Sequence, residues 1–145
     1  MGETSSTKEI KLHRNAGNMK IEGEYFNGKE HVKGSNILID TGASECHIAS
    51  TRNKGLISHR TNPYRYMNFD GQLHTTELEV KVPIKIGGIN LLVPCHIDSS
   101  MINPHILLGM SFLNGLEDYS IKREGLYITH NEQTILCKKA EWTIK

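Results

Sequence analysis

Ile37-Leu38-Ile39-Asp40-Thr41-Gly42-Ala43-Ser44 is a run of three aliphatic residues that ends in one acid and a glycine turn. The aliphatic residues read as a buried strand, and Thr41-Gly42 supplies a chain reversal that leaves the Asp40 carboxylate at the strand's end. Without its surroundings, Asp40 reads equally well as a turn-forming aspartate that caps a loop. Three common residues in a row recur by chance in unrelated proteins, so the rest of the chain decides what the stretch means.

The deciding context lies far downstream, at His105-Ile106-Leu107-Leu108-Gly109-Met110-Ser111-Phe112-Leu113-Asn114-Gly115, where a second apolar run meets a glycine and then a short helix-like stretch. Taken in this order, Asp40–Ser44 and Ile106–Leu113 resemble the retropepsin-like aspartic proteases of retroelements and reverse-transcribing viruses. Within that group, Asp40–Ser44 with Cys46, Ile48, Ala49 and Ser50 is most similar to the protease of plant pararetroviruses, the caulimovirus and badnavirus type. The resemblance spans roughly Asn36 to Leu136.

Hydrolysis of a peptide by carboxylates needs two of them across one water: one accepts the water's proton while its protonated partner assists the carbonyl. The chain carries the motif once, because Asp70, Asp98 and Asp118 lack a following Thr-Gly or Ser-Gly. The second carboxylate is therefore expected from a second copy of the chain, and the resemblance implies an all-β, acid-protease barrel or sandwich with one short helix, active as a two-fold homodimer. It implies catalytic roles for Asp40, Thr41 and Gly42: Asp40 shares a proton with its symmetry mate, Thr41 hydrogen-bonds across the dimer axis, and Gly42 lets the backbone pass close to substrate. Ala43, Ser44 and Leu107 would line the cleft. Many retroviral members carry an Asp after the Ala and an Arg after the later Gly, paired within one subunit; here those positions are Ser44 and Met110. Losing both together is coherent, since losing one would strand a charge.

The family's mobile hairpin, or flap, is expected between Tyr64 and Thr76. Asp70-Gly71 has the chemistry of a tight hairpin tip, which places Tyr66, Phe69, Asp70 and Gly71 near substrate. An ordinary surface hairpin with partly buried aromatics is the competing reading of those contacts.

A length of 145 residues with 37% hydrophobic content suits one domain with a modest core, about half of what a two-lobed single-chain peptidase needs. Alternation or apolar runs predict strands over Lys20–Tyr25, Ser35–Ile39, Leu78–Ile86, Ile89–His96 and Gly125–His130. Gly87-Gly88 and Asn131-Glu132 read as tight turns, and Met110–Asn114 alone invites a helix. Residues 1–18 are polar and lack periodic apolar residues, so they read as a flexible arm ahead of a protease domain over 19–145. Dimerisation in retropepsins commonly interleaves terminal strands, which nominates Glu141–Ile144 with Trp142 and Ile144, with a contribution near Ile10 and Leu12.

A formal charge of +1 argues against capture of nucleic acid, and Lys138-Lys139 is too short for a basic stripe. No apolar run reaches the roughly 18 residues of a membrane helix and no signal-peptide core follows Met1. Three cysteines at irregular spacing do not suggest a disulfide framework, and a reducing compartment suits them. Cys46-His47 and Cys95-His96 do not make a zinc site, because neighbours on a strand face opposite ways and each pair offers one ligand inward. The eight histidines are read as scattered surface or core residues, since no Cys, His and orienting third group can be placed from spacing.

The expectation is therefore an aspartic endopeptidase without metal or cofactor. It processes a viral or retroelement polyprotein, as part of it or released from it, in the host cytoplasm or the virus particle. Its partners are the polyprotein substrate and a second copy of the chain. The rival readings are a catalytically silent dimerisation or assembly module of the same fold, and a cellular protease domain derived from a retroelement.

Overall fold

The computed structural model describes residues 8–15, 18–67 and 71–139, with side chains omitted at 8, 11–15, 18 and 139. The strands are β1 (Lys8–Asn15), β2 (Asn18–Phe26), β3 (His31–Asp40), β4 (His47–Ala49), β5 (Ser58–Met67), β6 (Leu73–Ile86), β7 (Ile89–Asp98), β8 (Ile106–Leu108), β9 (Asp118–Lys122), β10 (Gly125–His130) and β11 (Gln133–Lys139). One short helix, α1 (Met110–Asn114), follows β8, and a single 3-10 turn spans Ser50–Arg52.

The strands hydrogen-bond in the order β5-β6-β7-β4-β8-β3-β2-β1-β11-β10-β9, and a second pairing of β2 with β6 closes the middle of this sheet into a barrel. Closure encloses a core and leaves β5 and β9 at the two ends of the strand order. Alternation decides which residues enter it. On β6, Val80, Val82, Ile84 and Ile86 are buried while Lys81 and Lys85 are exposed. The same strand is not buried before Val80, because there it leaves the barrel with β5.

Several expected elements are present. The helix covers Met110–Asn114, and Gly87 and Gly88, both at positive φ, turn the chain from β6 into β7. Asn131 and Glu132, with φ of 51° and 64°, turn it from β10 into β11. The fold is an all-β, retropepsin-like one. The polar segment read as an arm contributes a strand: Lys8–Asn15 runs parallel to β11 and antiparallel to β2. Ile10 on that strand is partly buried against the chain's own core. Glu141–Ile144, the other candidate for dimer contacts, lies outside the described residues.

Candidate active site

β3 ends at Asp40, and its last turn of sequence is buried by alternation: Ile37 and Ile39 are fully enclosed, and Leu38 faces the other way. β8 lies beside it in parallel, with Ile37 opposite Ile106, Leu38 opposite Leu107 and Ile39 opposite Leu108. The two distant sequence motifs are therefore neighbours in one sheet. Leu107, Met101 and Ala49 form a small apolar cluster with Leu38 and Ala43, which supports the Asp40 loop from below.

The loop is held by its own backbone. The Gly42 amide donates to Asp40 Oδ1 at 2.8 Å and the Ala43 amide to the Asp40 carbonyl at 3.1 Å, fixing the carboxylate over the turn. The first amides of α1 hold the far side, with Met110 donating to the Ala43 carbonyl at 2.8 Å and Ser111 to that of Ser44 at 2.9 Å. Gly109 permits this approach, since a Cβ there would lie 2.4 Å from the Glu45 carbonyl oxygen and 2.6 Å from that of Ala43. The helix and the Asp40 loop are thus joined through backbone, with Met110 and Ser44 in place of the charged pair common in retroviral members.

Asp40, Gly42, Ala43, Ser44 and Leu107 line one cleft of about 370 Å³, and Tyr66 lines its opposite side from β5. The segment expected to form the flap is a hairpin, β5–β6: Tyr64 pairs with Thr76 and Met67 with Leu73 across it. Gly71 near its tip has φ of +77°, a conformation that suits glycine. Phe69 and Asp70 lie outside the described residues. Thr41 is exposed in the single protomer.

Sequence reasoning passed over the other carboxylate of this cleft. Asp98, at the end of β7, is 2% exposed, and it accepts from His47 Nδ1 at 2.9 Å, from the Tyr66 hydroxyl at 2.7 Å and from the Ser100 amide at 2.9 Å and hydroxyl. Burial by itself would raise its pKa, but the hydrogen bonds from His47, Ser100 and Tyr66 outweigh burial and hold it well below the usual carboxylate range. Burial and the bond to Asp98 push the Tyr66 phenol up to about 12, so it stays a donor. Asp98 is thus a fully bonded structural anion, while the Asp40 carboxylate, among the described residues, accepts from its own loop's Gly42 amide and opens to the cleft. The different environments separate the roles of the two carboxylates.

β4 and β7 run parallel with His47 opposite His96, which aligns Cys46-His47 with Cys95-His96. Both thiols face the main core and both imidazoles face the hairpin's tyrosines. Among the described residues no group of three His, Cys, Asp or Glu side chains is disposed to hold a metal ion.

Residues 25–115 match the family described as "gag-polyprotein putative aspartyl protease". The chain belongs to that family. The match runs from β2 through α1 and contains both motifs. No curated protein matches the chain. Among solved structures, Lpg0085, a protein of unknown function from Legionella pneumophila, is similar at 11% identity with a TM-score of 0.37, over 72% of this chain and 84% of that one. That likeness is too distant to bear on fold or function.

Proposed function

We propose that the chain is a homodimeric aspartic endopeptidase with one active site on a two-fold axis, to which each subunit contributes Asp40, Thr41 and Gly42. The observation that carries this reading is the position of Asp40. It is held by its own loop at the end of β3, braced by Leu107–Met110, and opens into a cleft beneath a hairpin.

Each cleft holds one such carboxylate, so apposing two subunits supplies the pair that water activation requires. Two carboxylates about 3 Å apart cannot both ionise cheaply, so they share a proton. The ionised member takes a proton from the bound water as it attacks the peptide carbonyl, and the protonated member polarises that carbonyl. The tetrahedral diol then collapses as a proton passes to the leaving nitrogen. Ala43, Ser44, Leu107 and the hairpin, including Tyr66, Phe69, Asp70 and Gly71, flank the substrate backbone.

The substrate is a polyprotein of the gag type in which such a domain resides, and the Asp40–Ser50 stretch favours an element of the plant pararetrovirus kind. The reading is tested by following cleavage of a precursor polyprotein or a peptide library from acidic to neutral pH, by the parent and by Asp40→Asn. The expected result is a bell-shaped pH dependence in the parent and no cleavage by the variant. Equal cleavage by both would move the chemistry away from Asp40. No cleavage by a demonstrably dimeric parent would favour a silent assembly module.

A further inference from the structure

Beyond the register shift between Arg60 and Tyr64, the β5–β6 hairpin leaves the barrel. Its outward residues Arg65 and Met67 are exposed, whereas Tyr64 and Tyr66, two positions apart, turn to the same inner face. Tyr64 stacks flat on His96, with ring centres 4.0 Å apart and an interplanar angle of 3°. Tyr66 lies 5.6 Å from Tyr64 and meets the His47 ring edge-on at 4.7 Å. Its hydroxyl reaches Asp98 Oδ1, while His47 occupies Oδ2.

A carboxylate this deeply buried keeps its charge only while its oxygens are bonded. Lifting the hairpin removes one of the three donors to Asp98 Oδ1, leaving the Ser100 amide and hydroxyl on that oxygen, so the open state loses a charge-assisted hydrogen bond that the closed state has. The same aromatic face forms one wall of the cleft that contains Asp40. Closure of this wall and completion of the cleft are therefore one event.

We propose that Asp98 and His47 are positioning residues that latch the β5–β6 hairpin over the cleft through the Tyr66 hydroxyl, and so set how readily the site closes on a peptide. As a statement about peptide binding this rests on the protease reading; as a statement about the hairpin it stands alone. The carboxylate is the fixed point of the latch, His47 holds one oxygen in place, and Tyr66 is the part that moves.

Tyr66→Phe keeps the ring and removes only the hydroxyl. A hydrogen bond to a charged group shifts such an opening equilibrium on the order of tenfold or more. Hydrogen exchange of the full chain should therefore accelerate about tenfold at the hairpin amides of 64–67 and 73–76, with the amides of β3 and β8 unchanged. In peptide cleavage by the same variant, KM should rise by a similar factor with kcat within about twofold of the parent. Unchanged hairpin exchange would overturn the latch, as would acceleration spread evenly through the barrel, which would mark Tyr66 as a general stabiliser. Faster hairpin exchange with an unchanged KM would overturn its role in binding. If the parent cleaves nothing, the protease reading fails, and the exchange result still decides whether the hairpin is latched.

Discussion

Gly109→Ala is a sharp test of how the site is built. The added methyl would meet the Glu45 and Ala43 carbonyl oxygens at 2.4 and 2.6 Å, and both are backbone atoms that cannot swing away as a side chain would. Relief requires α1 to draw back from the Asp40 loop, which stretches the Met110 and Ser111 amide bonds to Ala43 and Ser44. Overpacking of this kind costs about 1–3 kcal/mol, and weakening two backbone hydrogen bonds adds about 0.5–1.5 kcal/mol each. The sum is on the order of 3 kcal/mol, or roughly a 10 °C fall in Tm for a chain of this size. Gly115→Ala at the other end of the same helix is the control, since its Cβ would sit 3.4 Å from the Ser111 carbonyl oxygen in ordinary contact. Thermal melts of parent and both variants are compared at one protein concentration, because association itself shifts Tm. Peptide cleavage is measured alongside and should fall with the Gly109 variant. If Gly109→Ala melts with Gly115→Ala and cleaves at the parental rate, close backbone approach is not what holds the Asp40 loop.

Two further outcomes follow from the buried titratable groups. The folded state lowers the pKa of Asp98, so its contribution to stability is present above the unfolded value of 3.8 and is lost as pH falls below it. Asp98→Asn should cost about 2–3 kcal/mol at neutral pH and flatten the acid branch of the stability curve; parallel curves for parent and variant would refute the assignment. Burial raises the thiols of Cys46, Cys95 and Cys137, the last to about 12. None of the three should react with a disulfide reagent in the native protein at mildly alkaline pH, and all three should react in denaturant. Because unfolded thiols ionise near 9, the same shifts make stability fall as pH rises above that value. Rapid stoichiometric labelling of the native chain would contradict this.

What the sequence disclosed about the fold is local. Alternation at Val80, Val82, Ile84 and Ile86 and the turn chemistry of Gly87-Gly88 and Asn131-Glu132 are properties of adjacent residues, and they sufficed for the strands and reversals around them. Strand β1 escaped because its residues are mostly polar and its order comes from pairing with β11, more than a hundred residues away. The Asp98 cluster escaped for a related reason. Parallel pairing of β4 with β7 brings His47 to Asp98 across 51 positions, and no short motif encodes a parallel register. No glycine turn follows Asp98, and that criterion, sound for a reacting carboxylate, is silent about a structural one. Gly109 was visible as part of the second motif, but its reason, the approach of α1 to the loop carbonyls, is a property of packing.

The central claim is that two copies of Asp40 make one site. At fixed total concentration and at subunit exchange equilibrium, Asp40→Asn is titrated into the parent and peptide cleavage is followed. If each site needs one carboxylate from each subunit, mixed dimers are inactive and the rate falls as the square of the parental fraction. A linear fall would show that each subunit carries a complete site, and would contradict the account.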